Sequence, residues 1–165
     1  MFKRLAIFFM VICITGCGFK LRGLADMPAW LNNIAIIVQE AHRDLVPMLK
    51  DQLEGYGVRI IPDPAHADYL LIIENDNTQQ QITSISASTT PRQYQIIYTV
   101  HFSLISKLTG KPIISSAHVL VTRQLTVNND RILGSDSEGS TIHTEMRRDA
   151  VMQIINRISR KATLQ

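Results

Sequence analysis

The chain has 165 residues, 17 Lys and Arg against 14 Asp and Glu, and a formal charge of +3. That length suffices for one domain with an ordinary core. Two cysteines, both before residue 20, exclude a disulfide framework, and so small a charge excess gives no support for nucleic-acid binding by bulk electrostatics.

The chain opens with Lys3 and Arg4, followed by an apolar run from Leu5 to Ile14. About ten apolar residues are too few for a membrane-spanning helix, which needs roughly 20, but they suit the h-region of a secretory signal. Thr15 and Gly16 are small enough for a signal-peptidase pocket, and Cys17 follows. Ile14-Thr15-Gly16-Cys17 resembles the lipobox of bacterial lipoproteins, in which the cysteine sulfur takes a diacylglyceryl group and the freed amine takes a further acyl chain. The resemblance implies a signal over residues 1–16, a lipidated Cys17 and a lipid-anchored linker over 17–33. A single chain anchors only marginally, at about 0.8 kcal/mol per buried methylene, whereas two or three hold firmly. Residue 18 is Gly rather than the Asp associated with inner-membrane retention, which points to the outer membrane. Removal of the signal lowers the basic count from 17 to 15 against 14 acids, leaving the mature chain near neutral.

Residues 34–165 read as one globular domain. Ile34 to Val38 is apolar on both faces and predicts a short buried strand. Leu45, Leu49 and Leu53 recur every four residues, so a helix is expected from about Asp44 to Tyr56, with Asp44 as N-cap and Pro47 in the first turn. Gly55 and Gly57 end it. Val58 to Ile61 is a second short apolar segment, stopped by Pro62-Asp63-Pro64. Tyr69 to Ile73 starts a strand that continues less regularly through Ile82 and Ile85, with a Ser/Thr-rich turn after it.

The clearest two-residue period is Tyr94, Ile96, Tyr98, Val100, Phe102 and Leu104, which marks a strand with one face on a core. Thr109-Gly110-Lys111 turns the chain tightly, and Ile113 to Val127 runs back, Val119, Val121, Leu125 and Val127 sharing a face. A terminal helix is expected from about Ser140 to Ala162. Its stripe is Ile142, Met146, Ala150, Ile154 and Ile158, widened by Val151 and Ile155, with Arg147, Arg148, Asp149, Arg157 and Arg160 on or beside the outer side. The order predicts an α+β fold: a two-layer α/β sandwich with two helices on one face of a mixed, mostly antiparallel four-stranded sheet.

None of the five histidines stands in a metal-binding pattern, although His101 and His118 are placed to face each other across a hairpin. There is no G-x-S-x-G and no phosphate-cradling glycine loop. The reading is a non-enzyme without cofactor or metal.

Cys17-Gly18-Phe19-Lys20-Leu21-Arg22-Gly23 is similar to the mature start of the lipopolysaccharide-assembly lipoproteins of the LptE family. So are Arg92-Gln93-Tyr94-Gln95-Ile96-Ile97-Tyr98 and the run from Thr122-Arg123 through Ile132-Leu133 to Glu145-Met146-Arg147-Arg148-Asp149-Ala150. The resemblance spans nearly the whole mature chain. It implies an outer-membrane lipoprotein that partners the β-barrel protein LptD, plugs its lumen, assists its assembly and contacts lipopolysaccharide. The phosphates of that lipid suit arginine forks, and the candidates are Arg92, Arg123 and Arg131, ahead of Lys107 and Lys111. The family often has a lysine near Ser135; this chain has Gly134-Ser135-Asp136 there, which leaves Arg131 as that segment's cation. A pilot lipoprotein for another envelope assembly, such as a secretin, fits the anchor and the small body equally well, though not the motif order.

Overall fold

A computed structural model describes residues 27–85, 91–126 and 132–162. The elements are β1 (Asn33–Glu40), α1 (Leu45–Gly55), β2 (Arg59–Ile60), a 3-10 turn (Pro64–His66), β3 (Tyr69–Ile85), β4 (Pro91–Ser106), β5 (Pro112–Thr126) and α2 (Ile132–Ala162). The strands form one sheet in the order β2-β1-β3-β4-β5.

The architecture is α+β, with two differences from expectation. The sheet has five strands, because Arg59 and Ile60 pair with Asn33 and Ile34. It is evenly mixed by neighbour: β2–β1 and β1–β3 are parallel, β3–β4 and β4–β5 antiparallel. The cause is the crossover through α1, which returns the chain in the direction of β1. Pro62, which has no N–H to donate, follows closely and keeps β2 short.

Leu45, Leu49 and Leu53 of α1 are fully buried, as are Met146, Ala150, Val151, Ile154 and Ile155 of α2. They meet Leu71, Ile73, Val100, Phe102, Leu104, Val119 and Val121 of the sheet in one core cluster. Burying each large aliphatic chain is worth about 1.5–3 kcal/mol, so this cluster accounts for most of what holds the layers together. The period-two reading of β4 holds from Ile96 to Leu104. Trp30 packs on Tyr69 with ring centroids 5.0 Å apart, and Leu31 is buried, so residues just before β1 already belong to the packed body.

The long terminal helix starts at Ile132, not near Ser140. Gly134, Ser135, Ser137 and Gly139 are weak helix formers and read as loop, but extending an existing helix is far easier than nucleating one.

Beyond Asn75, β3 pairs only with β4 among the described residues, because β1 has ended at Glu40. Residues 77–83 of this outer stretch are exposed.

Candidate functional site

The charged groups at the joints between helices and sheet show how the body is built. β3 carries one extra residue between Ile73 and Asn75 relative to β4. Such a bulge shifts side-chain parity by one. An acid, Asp76, therefore comes to the inner face, where the Tyr98 hydroxyl donates to its Oδ2 at 2.6 Å. The backbone N–H of His42 donates to its Oδ1 at 3.1 Å, which ties the β1–α1 loop to β3.

Tyr98 is buried. Burial, reinforced by the Asp76 carboxylate, pushes its phenol far above the ordinary tyrosine range, while the nearby Arg147 guanidinium opposes this in part. Arg147 also lies 3.5 Å from Asp44 Oδ2 with only 18% of its side chain exposed. Expected on or beside the outer side of the terminal helix, it lies mostly covered in the structure. It stands four and seven residues before Val151 and Ile154, on the buried stripe, and its charge is tolerated there because Asp44 meets it. That spacing was readable in the sequence.

Asp44 precedes α1 as expected but is not a side-chain cap. Its backbone is already helical, at φ −63°, and its side chain makes no cap hydrogen bond. The carboxylate turns instead to Arg147 and to His42 Nδ1, 3.4 Å away.

Arg123 lies on β5 in register with Ile96, on the helix-facing side. Its Nη2 pairs with Asp149 Oδ2 of α2 and its Nη1 donates to the Thr122 carbonyl at 3.2 Å. Over 40% of each partner's side chain is exposed, so the pair is reachable by solvent. Arg92 is the second residue of β4, next to Gln93, which pairs with Thr126. Arg92 and Arg123 thus belong to neighbouring strands at the same end of the sheet. Arg131, Cys17 and the whole of 1–16 lie outside the described residues, as do most of the Ser/Thr-rich turn and Val127. Lys107 is engaged elsewhere: its ammonium donates to the carbonyls of Pro64, at 2.9 Å, and Ala65.

His101 and His118 do meet across the β4–β5 pair, with ring centroids 5.6 Å apart. Among the described residues no group of three or more His, Cys, Asp or Glu is placed to hold a metal ion, and no helix is long and apolar enough to cross a membrane.

Fold and site define a small two-layer α+β protein whose inner charges lock its layers, with Arg123 near one end of the sheet and Arg157, Arg160 and Lys161 along one margin of it. The model for the family described as "LptE: Lipopolysaccharide-assembly" matches residues 31–158. The chain belongs to that family. It is 25% identical over 150 residues to the LPS-assembly lipoprotein LptE of Pectobacterium atrosepticum, covering 90% of this chain and 79% of that one. It is 26% identical over 149 residues to the protein of that name in Yersinia enterocolitica, covering 90% and 70%. Among solved structures, lipoprotein B of Nitrosomonas europaea superposes with a TM-score of 0.70 at 22% identity, over 86% of this chain and 90% of that one. The rare lipoprotein B of Shewanella oneidensis does so at 0.69 and 17%, over 80% and 97%. These two share the fold.

Proposed function

We propose that this chain is an outer-membrane lipoprotein of lipopolysaccharide assembly. It is tethered through acylated Cys17 after removal of residues 1–16, seats its globular body in the lumen of an LptD-like β-barrel, assists that barrel's assembly and binds lipopolysaccharide in transit. The family match over residues 31–158 carries the proposal, and the curated relatives bear the matching name.

The physics of the body agrees with it. A barrel interior is polar, and the outer stretch of β3 offers Asn77, Thr78, Gln79, Gln80 and Gln81 to such a wall, all exposed. Arg92 and Arg123 begin and end neighbouring strands. Together with Arg131 they supply the forks that phosphate recognition uses. Asp149 orients Arg123 without enclosing it, so a lipid phosphate has access to the guanidinium N–H groups left over.

Pull-down from a detergent-solubilised outer-membrane fraction tests the partnership: near one-to-one recovery of the barrel protein is expected, and recovery of the lipoprotein alone overturns it. The Cys17→Ala variant is expected to remain unprocessed or to leave the membrane fraction after a salt wash in cells lacking the partner; unchanged fractionation overturns the anchor. Joint replacement of Arg92, Arg123 and Arg131 by Ala is expected to weaken lipopolysaccharide binding, most visibly at low salt where screening is weakest. Equal binding by this variant removes the assignment of those three cations.

A further inference from the structure

The outer margin of β5, last strand of the sheet among the described residues, holds a cationic surface away from the sheet end that carries Arg123. Along it α2 reaches out to the strand edge. Gln153 Nε2 donates to the Leu120 carbonyl at 3.2 Å, and Arg157 Nη1 to the His118 carbonyl at 3.0 Å. Carbonyls two residues apart on a strand point to the same side, so two side chains one helical turn apart close successive rungs of the edge ladder. Two adjoining cavities of about 540 and 570 Å³ lie between strand and helix and share His118, Arg157 and Arg160. Asn156 and Gln153 add amides to the first, Lys161 an ammonium to the second.

Among the described residues no Asp or Glu lines either cavity. Among the described residues Arg157, Arg160 and Lys161 form no ion pair. Glu74 accepts from Ser116 Oγ, a lining group of the second cavity, at 2.7 Å. The negative end of the helix dipole explains cations in the last turn of α2. It does not explain Arg157 a turn earlier, nor why all three open on the same hollow.

We infer that this cleft binds a phosphate monoester carried on a sugar. The spacing of 157, 160 and 161 puts the three cations on neighbouring positions of one helix face. Arg157 is already steadied by the His118 carbonyl, which leaves its remaining N–H donors fixed in direction and lowers the ordering needed on binding. The joined cavities are too large for a bare phosphate and have room for a saccharide, with the Gln153 and Asn156 amides as neutral donors to hydroxyls. The inference rests on the lipopolysaccharide reading only for the source of the sugar phosphate, which is either a lipid headgroup or a soluble phosphosugar.

The test uses the full chain in detergent micelles, with backbone amide NMR shifts and calorimetry as readouts and two probes: glucose 1-phosphate and diphosphorylated lipid A in the same detergent. Shifts are expected at residues 116–120 and 153–161. The double variant Arg160→Gln/Lys161→Gln keeps the edge contact of Arg157 and so keeps the fold; it is expected to bind at least tenfold more weakly to whichever probe occupies the cleft. Response to both probes assigns the cleft to sugar phosphates in general, and response to lipid A alone assigns it to the headgroup. Binding of neither probe, or equal affinity of wild type and variant, overturns the site. The Arg92/Arg123/Arg131 triple variant separates the two readings, because it is expected to lose the sheet-end site while these shifts persist.

Discussion

Tyr98 and Asp76 are the residues through which the sheet answers to its helices. Removing the hydroxyl with Tyr98→Phe leaves a half-buried carboxylate short of its closest donor, and hydrogen bonds to charged groups are worth about 1.5–3 kcal/mol. For a domain of this size that corresponds to a fall in Tm of about 4–10 °C, measurable by thermal unfolding beside the wild type. The same pair contributes to the loss of stability in alkali. The folded-state phenol ionises far above its unfolded value of about 10, so its contribution is intact below pH 10 and declines as the unfolded chain begins to ionise. Denaturant midpoints measured from pH 8 to 11.5 are expected to drop above pH 10 in the wild type and to drop less steeply in Tyr98→Phe. Arg123→Ala is expected to change stability by no more than about 1 kcal/mol, because its pair with Asp149 is solvent-exposed, so a binding defect in that variant is separable from misfolding.

At the scale of elements, α1 depends on a three-leucine seam and on the turn that ends it. Leu49→Ala is expected to destabilise by about 2–5 kcal/mol through cavity formation. Gly57 has φ +80° with open space around the position of an added Cβ. Gly57→Ala therefore isolates backbone strain from crowding and is expected to cost about 1–2 kcal/mol in chemical denaturation. These elements were legible because their signals are local and repeated: the leucine spacing of α1, the alternation of β4, the glycine turn at Gly110, which indeed has positive φ. What escaped depends on neighbours far away in sequence. β2 exists only because β1 lies beside it. The bulge at Glu74, which turns Asp76 inward, is a register event with no signature in a polar stretch. Arg147 looked like surface because charge outweighed position, and its partner Asp44 is on another helix's entry. Of the candidate site, the placement of Arg123 on the sheet was readable, but its pairing with Asp149 required the helix to be laid over the strand.

For the molecule as a whole, the two margins of the sheet are treated differently. Side chains of α2 guard β5, whereas β3 from Asp76 onward has a strand on one side only among the described residues. Hydrogen exchange is expected to show this directly: amides of 77–84 that face away from β4 exchange within minutes, while those of Val100 and Phe102, in the middle of the core, persist toward the global unfolding limit.

That uneven guarding has a practical outcome. Exposed strand borders recruit other strands unless charge or proline deters them, and from Asn77 to Ile85 the chain has neither. The purified protein is therefore expected to reach its solubility ceiling through this stretch. Gln81→Lys, an exposed position in register with Gln95 on the face away from the core, is expected to raise that ceiling without moving Tm, as light scattering of concentrated samples will report.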